Sequence, residues 1–140
     1  MVPQSYARAY RANSVLTASP GQLVLMLFDG ALRSLDLARE ACGRADDPRR
    51  FELINAQLLK AQMIIAELQG TLNLEAGGEF ARTMHQLYDY YQRRLIEANL
   101  HKQAAPIAEV ERLLREVRNA WDEMLRSQEP ARQAGMHSVA

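Results

Sequence analysis

The chain has one cysteine, seven glycines, five prolines and no excess of either charge. A single cysteine, Cys42, cannot form an internal disulfide, which favours a reducing compartment. Seventeen basic and seventeen acidic residues cancel, so no general attraction to nucleic acid is expected. No stretch approaches the roughly 20 apolar residues of a membrane-spanning helix, and the N-terminus lacks a signal-peptide pattern. We therefore expect a cytoplasmic protein without nucleic-acid binding or membrane insertion.

Motifs that would indicate catalysis or metal binding are also missing from the sequence. Di-iron bundles use inward Glu-x-x-His pairs, and the nearest approach here is Glu97 with His101, four apart at a predicted helix end. The chain has no glycine-rich phosphate loop and no nucleophile elbow. We accordingly expect no enzymatic activity, no metal and no cofactor.

Apolar residues recur with helical spacing along most of the chain. Ser19, Pro20 and Gln22 form a capping box with proline in the first turn, which predicts a helix start. Asp47 and Pro48 repeat the cap-then-proline pattern. Four helices are predicted: Pro20 to about Ala41, Pro48 to about Leu72, about Glu79 to Leu100, and from near Pro106 onward.

The apolar positions of these helices are typical of lengthwise packing in a bundle. Helix two has steps of three and four through Phe51, Ile54, Leu58, Ala61, Ile65, Leu68 and Leu72. Inner positions elsewhere include Leu23, Met26, Phe80, Tyr91 and Trp121. We predict an all-α fold, an elongated antiparallel up-down four-helix bundle with a short N-terminal arm or helix. Residues 1–18 would form the arm, 19–127 the bundle and 128–140 a disordered tail.

Uncharged residues cover a wider arc of helix two than packing against one neighbouring helix requires. Leu53, Gln57, Ile64 and Thr71 extend its uncharged face, with Lys60 and Glu67 on the far side. Such an arc indicates either burial against two neighbouring helices or a groove open to a partner helix. Three tyrosines of helix three, at positions 88, 90 and 91, point in different directions, so at least one is expected outside the core.

An ordered set of motifs over residues 5–122 resembles the FliS family of flagellar export chaperones. The N-terminal part comprises Tyr10, Val15, Thr17-Ala18-Ser19-Pro20, Leu23 and Phe28-Asp29-Gly30. Later parts are Gly77-Gly78-Glu79, Leu87-Tyr88-Asp89-Tyr90, Arg93-Arg94-Leu95, Ala98-Asn99, and the segment from Ile107 to Trp121. Phe28 stands where the family often has tyrosine.

The resemblance implies a chaperone that binds the disordered C-terminal segment of flagellin in an apolar groove. It also implies delivery to a component of the flagellar type III export gate, and an N-terminal arm whose tyrosine covers part of the groove. In this chain that tyrosine is Tyr10, and Val15 and Leu16 belong to the same arm. The predicted groove and arm residues are Tyr10, Val15, Leu16, Leu53, Gln57, Ile64, Leu68 and Tyr88.

Other functions fit the same residues. The bundle could associate with itself through the apolar face, as a homodimer when no client is bound, or regulate another flagellar client such as the anti-sigma factor. A metalloenzyme bundle is a third class, and it would require bound transition metal.

Overall fold

The computed structural model describes the backbone of residues 18–139 and the side chains of residues 18–128. This part of the chain folds into four helices without a β-strand. They are α1 (Pro20–Cys42), α2 (Arg50–Gly70), α3 (Gly78–His101) and α4 (Ala104–Val139). Each helix packs against the next in the chain, and α4 returns to pack against α1. The structure therefore confirms the predicted all-α bundle.

Local hydrogen bonds determine where α1 and α2 begin. The hydroxyl of Ser19 accepts from the backbone N–H of Gln22 at 3.2 Å, and the Gln22 side chain accepts from the N–H of Ser19 at 3.1 Å. This is the predicted capping box. The start of α2 differs from the prediction, because the Asp47 carboxylate accepts from the N–H of Arg49 at 2.8 Å. Residues 47–49 form a turn, and the helix begins at Arg50.

The loop between α3 and α4 is short because the backbone turns at one residue. Lys102 adopts a left-handed conformation with φ of 51° and ends α3. The next helix starts at Ala104, two residues before the predicted Pro106. Pro106 fits in this first turn, where backbone N–H groups have no partner within the helix. The backbone of α4 is helical to Val139, and the division into arm, bundle and tail stays a prediction.

The closest helix pair is α1 with α2, because small residues line the contact. A Cβ added to Gly30 would lie 3.4 Å from Cδ1 of Ile64. The buried residues Ala31, Ser34 and Ala38 continue this side of α1 toward the core. Bulkier side chains at these positions would separate the two helices.

Aliphatic and aromatic side chains from all four helices fill one core. The largest fully buried ones are Phe28, Leu35, Ile54, Leu58, Ile65, Leu68, Tyr91, Leu95, Ile107, Val110 and Leu114. Leu23 and Met26 of α1 were expected on the inner face, but they are 36% and 39% exposed. Phe51 and Phe80 were also expected in this core, but they are 59% and 65% exposed. Both lie in the first turn of a helix. Side-chain bonds from Asn99 to Asn55 and from Gln92 to the Gln62 carbonyl set the register of α2 against α3. In this register each ring projects past the end of the neighbouring helix.

Candidate functional site

The outward side of α2 carries a second apolar seam. Its steps of three and four match those of the inner seam, and every member is exposed. We call this seam the α2 stripe; it consists of Ala56, Leu59, Met63, Ala66 and Gly70. Leu59 is 48% and Met63 71% exposed. A helix that is apolar on two opposite sides and covered on one has a surface suited to a partner.

Two exposed aliphatic residues of α3 lie beside the α2 stripe. Ile96 is 56% and Leu100 74% exposed. Ile96 follows Gln92 by four residues and precedes Asn99 by three, so it shares the side of α3 that hydrogen-bonds to α2. Leu100 continues the same side one turn later. We call Leu59, Met63, Ile96 and Leu100 the outer apolar surface.

Uncharged side chains bridge α2 and α3 beneath this surface. Nδ2 of Asn99 donates to Oδ1 of Asn55 at 2.8 Å, and Nε2 of Gln92 donates to the Gln62 carbonyl at 2.8 Å. Further along, Gln69 donates to the Asp89 carboxylate at 2.8 Å. Most of the side chains that bridge α2 and α3 are uncharged. A partner lying over it would therefore bury few charges, whose desolvation would oppose binding.

A cavity of about 240 Å³ opens where α1 begins and α2 ends. Its apolar walls come from α1, α3, α4 and the loop that follows α2, and they include Val24, Phe28, Leu72, Phe80, Met84, Tyr88, Val117 and Trp121. Thr71, Asn73 and Gly77 add polar backbone and side-chain groups to the lining. We call this the end cavity. Its volume suits one large side chain of a partner or of the chain itself.

Trp121 ties α4 to the start of α1 beside the end cavity. Its indole Nε1 donates to the carbonyl of Gly21 at 2.8 Å. The ring is half-buried, whereas the sequence predicts a buried position. Close packing continues at Gly21, where an added Cβ would lie 2.5 Å from a methyl carbon of Leu125. The start of α1 is thereby held against α4.

The predicted groove residues occupy three different environments. Leu53, Gln57 and Ile64 are half-buried, and Ile64 lies against Gly30 of α1. The wide arc of α2 is thus explained in large part by burial against two neighbours. Leu68 and Tyr88 lie in the core with 0% and 3% exposure, so neither presents a free surface. Tyr10, Val15 and Leu16 lie outside the described residues.

Among the three tyrosines of helix three, Tyr90 is the one whose hydroxyl leaves the core. It donates to the Glu109 carboxylate at 2.7 Å, and Nε of Arg94 donates to the same oxygen at 2.8 Å. These two hydrogen bonds lower the pKa of Glu109. Burial raises the pKa of Tyr88, which remains a neutral phenol. The hydrogen bonds from Tyr90 and Arg94 to Glu109 join α3 to α4, away from the outer apolar surface.

The described residues provide no basis for catalysis or metal binding. Between residues 18 and 128, histidine, cysteine, aspartate and glutamate form no cluster that could hold a metal ion. Cys42 is half-buried, and burial raises the pKa of its thiol, which disfavours the nucleophilic thiolate. Over the same part of the chain, none of the helices has the length and apolar character needed to cross a membrane.

Comparison with known proteins identifies the family to which the chain belongs. The family model described as flagellar protein FliS matches residues 2–128. The chain belongs to the FliS family. This confirms the family indicated by the ordered motifs from Tyr10 to Trp121. FliS proteins are chaperones, which are not a class of enzymes.

Relatives in the FliS family are similar to this chain over most of its length. The flagellar secretion chaperone FliS of Bacillus subtilis is 41% identical over 128 residues, covering 91% of this chain and 92% of that protein. The flagellar secretion chaperone FliS of Salmonella typhimurium is 38% identical, covering 86% and 87%. The flagellar secretion chaperone FliSB of Pseudomonas aeruginosa is 39% identical, covering 77% and 82%.

Sequence reasoning missed the outer apolar surface of this FliS-family bundle. The signal was present, because Ala56, Leu59, Met63, Ala66 and Gly70 repeat with the same steps as the inner seam. A prediction based on the inner seam and its edges does not include these residues, because they lie on the opposite side of the helix.

Proposed function

We propose that the chain is a cytoplasmic export chaperone that binds the disordered C-terminal segment of flagellin. Binding keeps flagellin from polymerising early, and the complex then meets a component of the flagellar type III export gate. The observation that carries this proposal is the exposed outer apolar surface on a bundle of the FliS family. Membership in a family of secretion chaperones supports the binding of a client protein, and the outer apolar surface is the proposed binding site.

The outer apolar surface suits an amphipathic helix lying along α2 and α3. Leu59 and Met63 line one side, and Ile96 and Leu100 line the other. A helix in such a groove inserts residues spaced three and four apart. A disordered segment loses conformational entropy when it becomes ordered, so it needs a long apolar contact to bind usefully. We propose that Leu53, Gln57 and Ile64 form the edge of this contact next to α1.

We propose that the extended part of the client continues from the outer apolar surface into the end cavity, where the N-terminal arm lies when no client is bound. Val24, in the cavity wall, follows Tyr10 by fourteen residues. The nine residues from Tyr10 to Ser19, before α1 begins, can extend over about 30 Å, which is enough to reach the end cavity. An aromatic ring over the apolar walls would cover them, with Val15 and Leu16 closing the rim.

If the Tyr10 ring competes with the client as a lid, its removal should increase the affinity of the chain for flagellin. Tyr10→Ala should leave the melting temperature within about 2 °C and tighten flagellin binding several-fold, because the client no longer displaces the ring. Affinity is measured by titration with flagellin, with Tyr6→Ala as the matched tyrosine control. Equal affinity of Tyr10→Ala and the wild type would contradict a competing lid.

The client assignment is tested by deleting the proposed target from flagellin. Intact flagellin should co-purify with the chain, whereas flagellin without its C-terminal segment should not. Equal recovery of both forms would refute the assignment. The anti-sigma factor, the alternative client, serves as a second bait. Its recovery in place of flagellin would make the chain a regulator.

A second candidate occupant of the exposed surface is another copy of this chain. Opposite charges, Lys60 and Glu67, flank the α2 stripe at one heptad position. This arrangement favours a homodimer in the absence of a client.

A further inference from the structure

The end of the bundle opposite the end cavity carries two cations, one at the start of α2 and one at the end of α3. Lys102 ends α3, and its ammonium donates to the side chain of Asn99, which in turn donates to Asn55 of α2 at 2.8 Å. Nε of Arg50, the first residue of α2, donates to the carbonyl of Cys42 at 3.1 Å. We call Arg50 and Lys102 the basic pair.

Both members of the basic pair have hydrogen-bond donors left for an anion. Burial raises the pKa of the Cys42 thiol, and the charges of Arg50 and Lys102 both oppose that rise, so both cations lie near this thiol. Within residues 18–128, neither cation forms an ion pair with a carboxylate. The acidic residues at this end of the bundle are Asp46, Asp47 and Glu52. Each cation therefore retains its charge and most of its N–H donors for a partner.

Exposed apolar side chains connect the basic pair to the outer apolar surface. The guanidinium carbon of Arg50 lies 5.2 Å from the centroid of the Phe51 ring, which is 59% exposed. Leu100, a member of the outer apolar surface, precedes Lys102 by two residues. A chain that leaves the outer apolar surface in this direction therefore meets apolar side chains first and two cations next.

The proposed client ends in a group that suits the basic pair. A C-terminal segment carries the α-carboxylate of its chain, and carboxylates accept strong hydrogen bonds from Arg and Lys. A helix with its C-terminus at this end also turns the negative end of its dipole toward the cations, whereas the reverse orientation turns the positive end toward them.

We propose that the α-carboxylate of the client binds between Arg50 and Lys102. The client helix then lies along α2 and α3 with its C-terminus at this end of the bundle, and the extended part that precedes the helix enters the end cavity at the other end. The inference rests on the proposed flagellin client and gives that client a direction. It also makes the chaperone selective for a chain end, because an internal helix with the same apolar residues has no carboxylate to offer.

A terminal amide tests the role of the carboxylate. Two synthetic peptides of the flagellin C-terminal segment, one with a free carboxylate and one with a C-terminal amide, are titrated into the chain at low ionic strength. The free acid should bind about fivefold more tightly, and this ratio should fall as salt is added. Equal binding of the two peptides would overturn the carboxylate site alone. Absence of binding by both would instead refute the flagellin client.

Substitutions test whether the basic pair is the place where the carboxylate binds. Lys102→Met and Arg50→Met should each lower the ratio of acid to amide affinity below about twofold. Arg33→Met removes an exposed cation from α1; it is the matched control and should keep the full ratio. Because each ratio compares two peptides on one variant, a general loss of stability does not imitate the effect. A full ratio in both basic-pair variants would overturn the site.

Cross-linking measures the direction of the client independently. Client peptides with a cysteine in either the first or the last helical turn are oxidised with Leu100→Cys or Ala66→Cys, both in a Cys42→Ser background. Ala66 follows Asn55 by eleven residues, and Asn55 bonds to Asn99 beside Leu100, so the two positions are roughly 16 Å apart along the bundle. The last-turn cysteine should pair with Leu100→Cys and the first-turn cysteine with Ala66→Cys. The opposite pairing, or no preference, would overturn the proposed direction.

Discussion

Met63→Asp is expected to weaken binding of the flagellin C-terminal segment at least thirtyfold while leaving the bundle folded. Met63 is 71% exposed in the centre of the outer apolar surface, so the bound client would bury its side chain. A carboxylate there would be buried without a partner, which costs about 2 kcal/mol or more. Since each 1.4 kcal/mol is about tenfold in affinity, the loss is easily measured by titration.

The matched control for this substitution is Met26→Asp on α1. Met26 is also exposed, but it lies on a different helix, outside the outer apolar surface. Its replacement should change affinity by less than about twofold, and neither variant should lower the free energy of unfolding by more than about 1 kcal/mol. Equal loss of binding in the two variants, or none in Met63→Asp, would place the client elsewhere.

Phe28→Ala is expected to lower the free energy of unfolding by about 3–5 kcal/mol. Phe28 is 1% exposed and packs among core residues of the bundle. Removing its ring deletes apolar burial and leaves a cavity that rigid neighbouring helices cannot fill. Urea unfolding followed by circular dichroism gives the free energy directly.

Phe80→Ala is the matched control, with the same chemical change at an exposed ring. Phe80 is 65% exposed in the first turn of α3, so its loss should cost less than about 1 kcal/mol. The sequence places Phe80 on an inner face, whereas the structure leaves the ring of Phe80 exposed and buries that of Phe28. Similar destabilisation by the two substitutions would contradict the described core.

The fold was largely predictable because local rules and periodicity agree over long segments. The Ser19 capping box starts α1 at the expected residue, and the inner seam from Ile54 to Leu68 is fully buried. Periodicity gives the direction a residue faces around its helix. It does not give the axial position of a neighbouring helix, and this is why Phe51 and Phe80 were misplaced at the uncovered first turns.

The candidate site was less predictable for a related reason. The pattern of α2 shows apolar residues on several sides, and only the packed structure shows which side α1 covers. Ile64 lies against Gly30, whereas Leu59 and Met63 remain exposed. The sequence contains both seams, yet their roles depend on the position of α1 in three dimensions.

The proposed dimer and the proposed client use overlapping parts of α2. Met63 and Leu59 belong to both contacts, so the two complexes exclude each other. Flagellin binding is therefore expected to be coupled to dissociation of the dimer, and the apparent affinity for flagellin falls as chaperone concentration rises.

The most direct test of the central claim is calorimetric titration of the isolated flagellin C-terminal segment into dilute wild-type chain. We predict saturable one-to-one binding, with a gain of helical circular dichroism beyond the sum of the free components. A scrambled segment of identical composition should produce neither signal. Absence of binding by the native segment, or equal binding of the scrambled one, would contradict a flagellin chaperone.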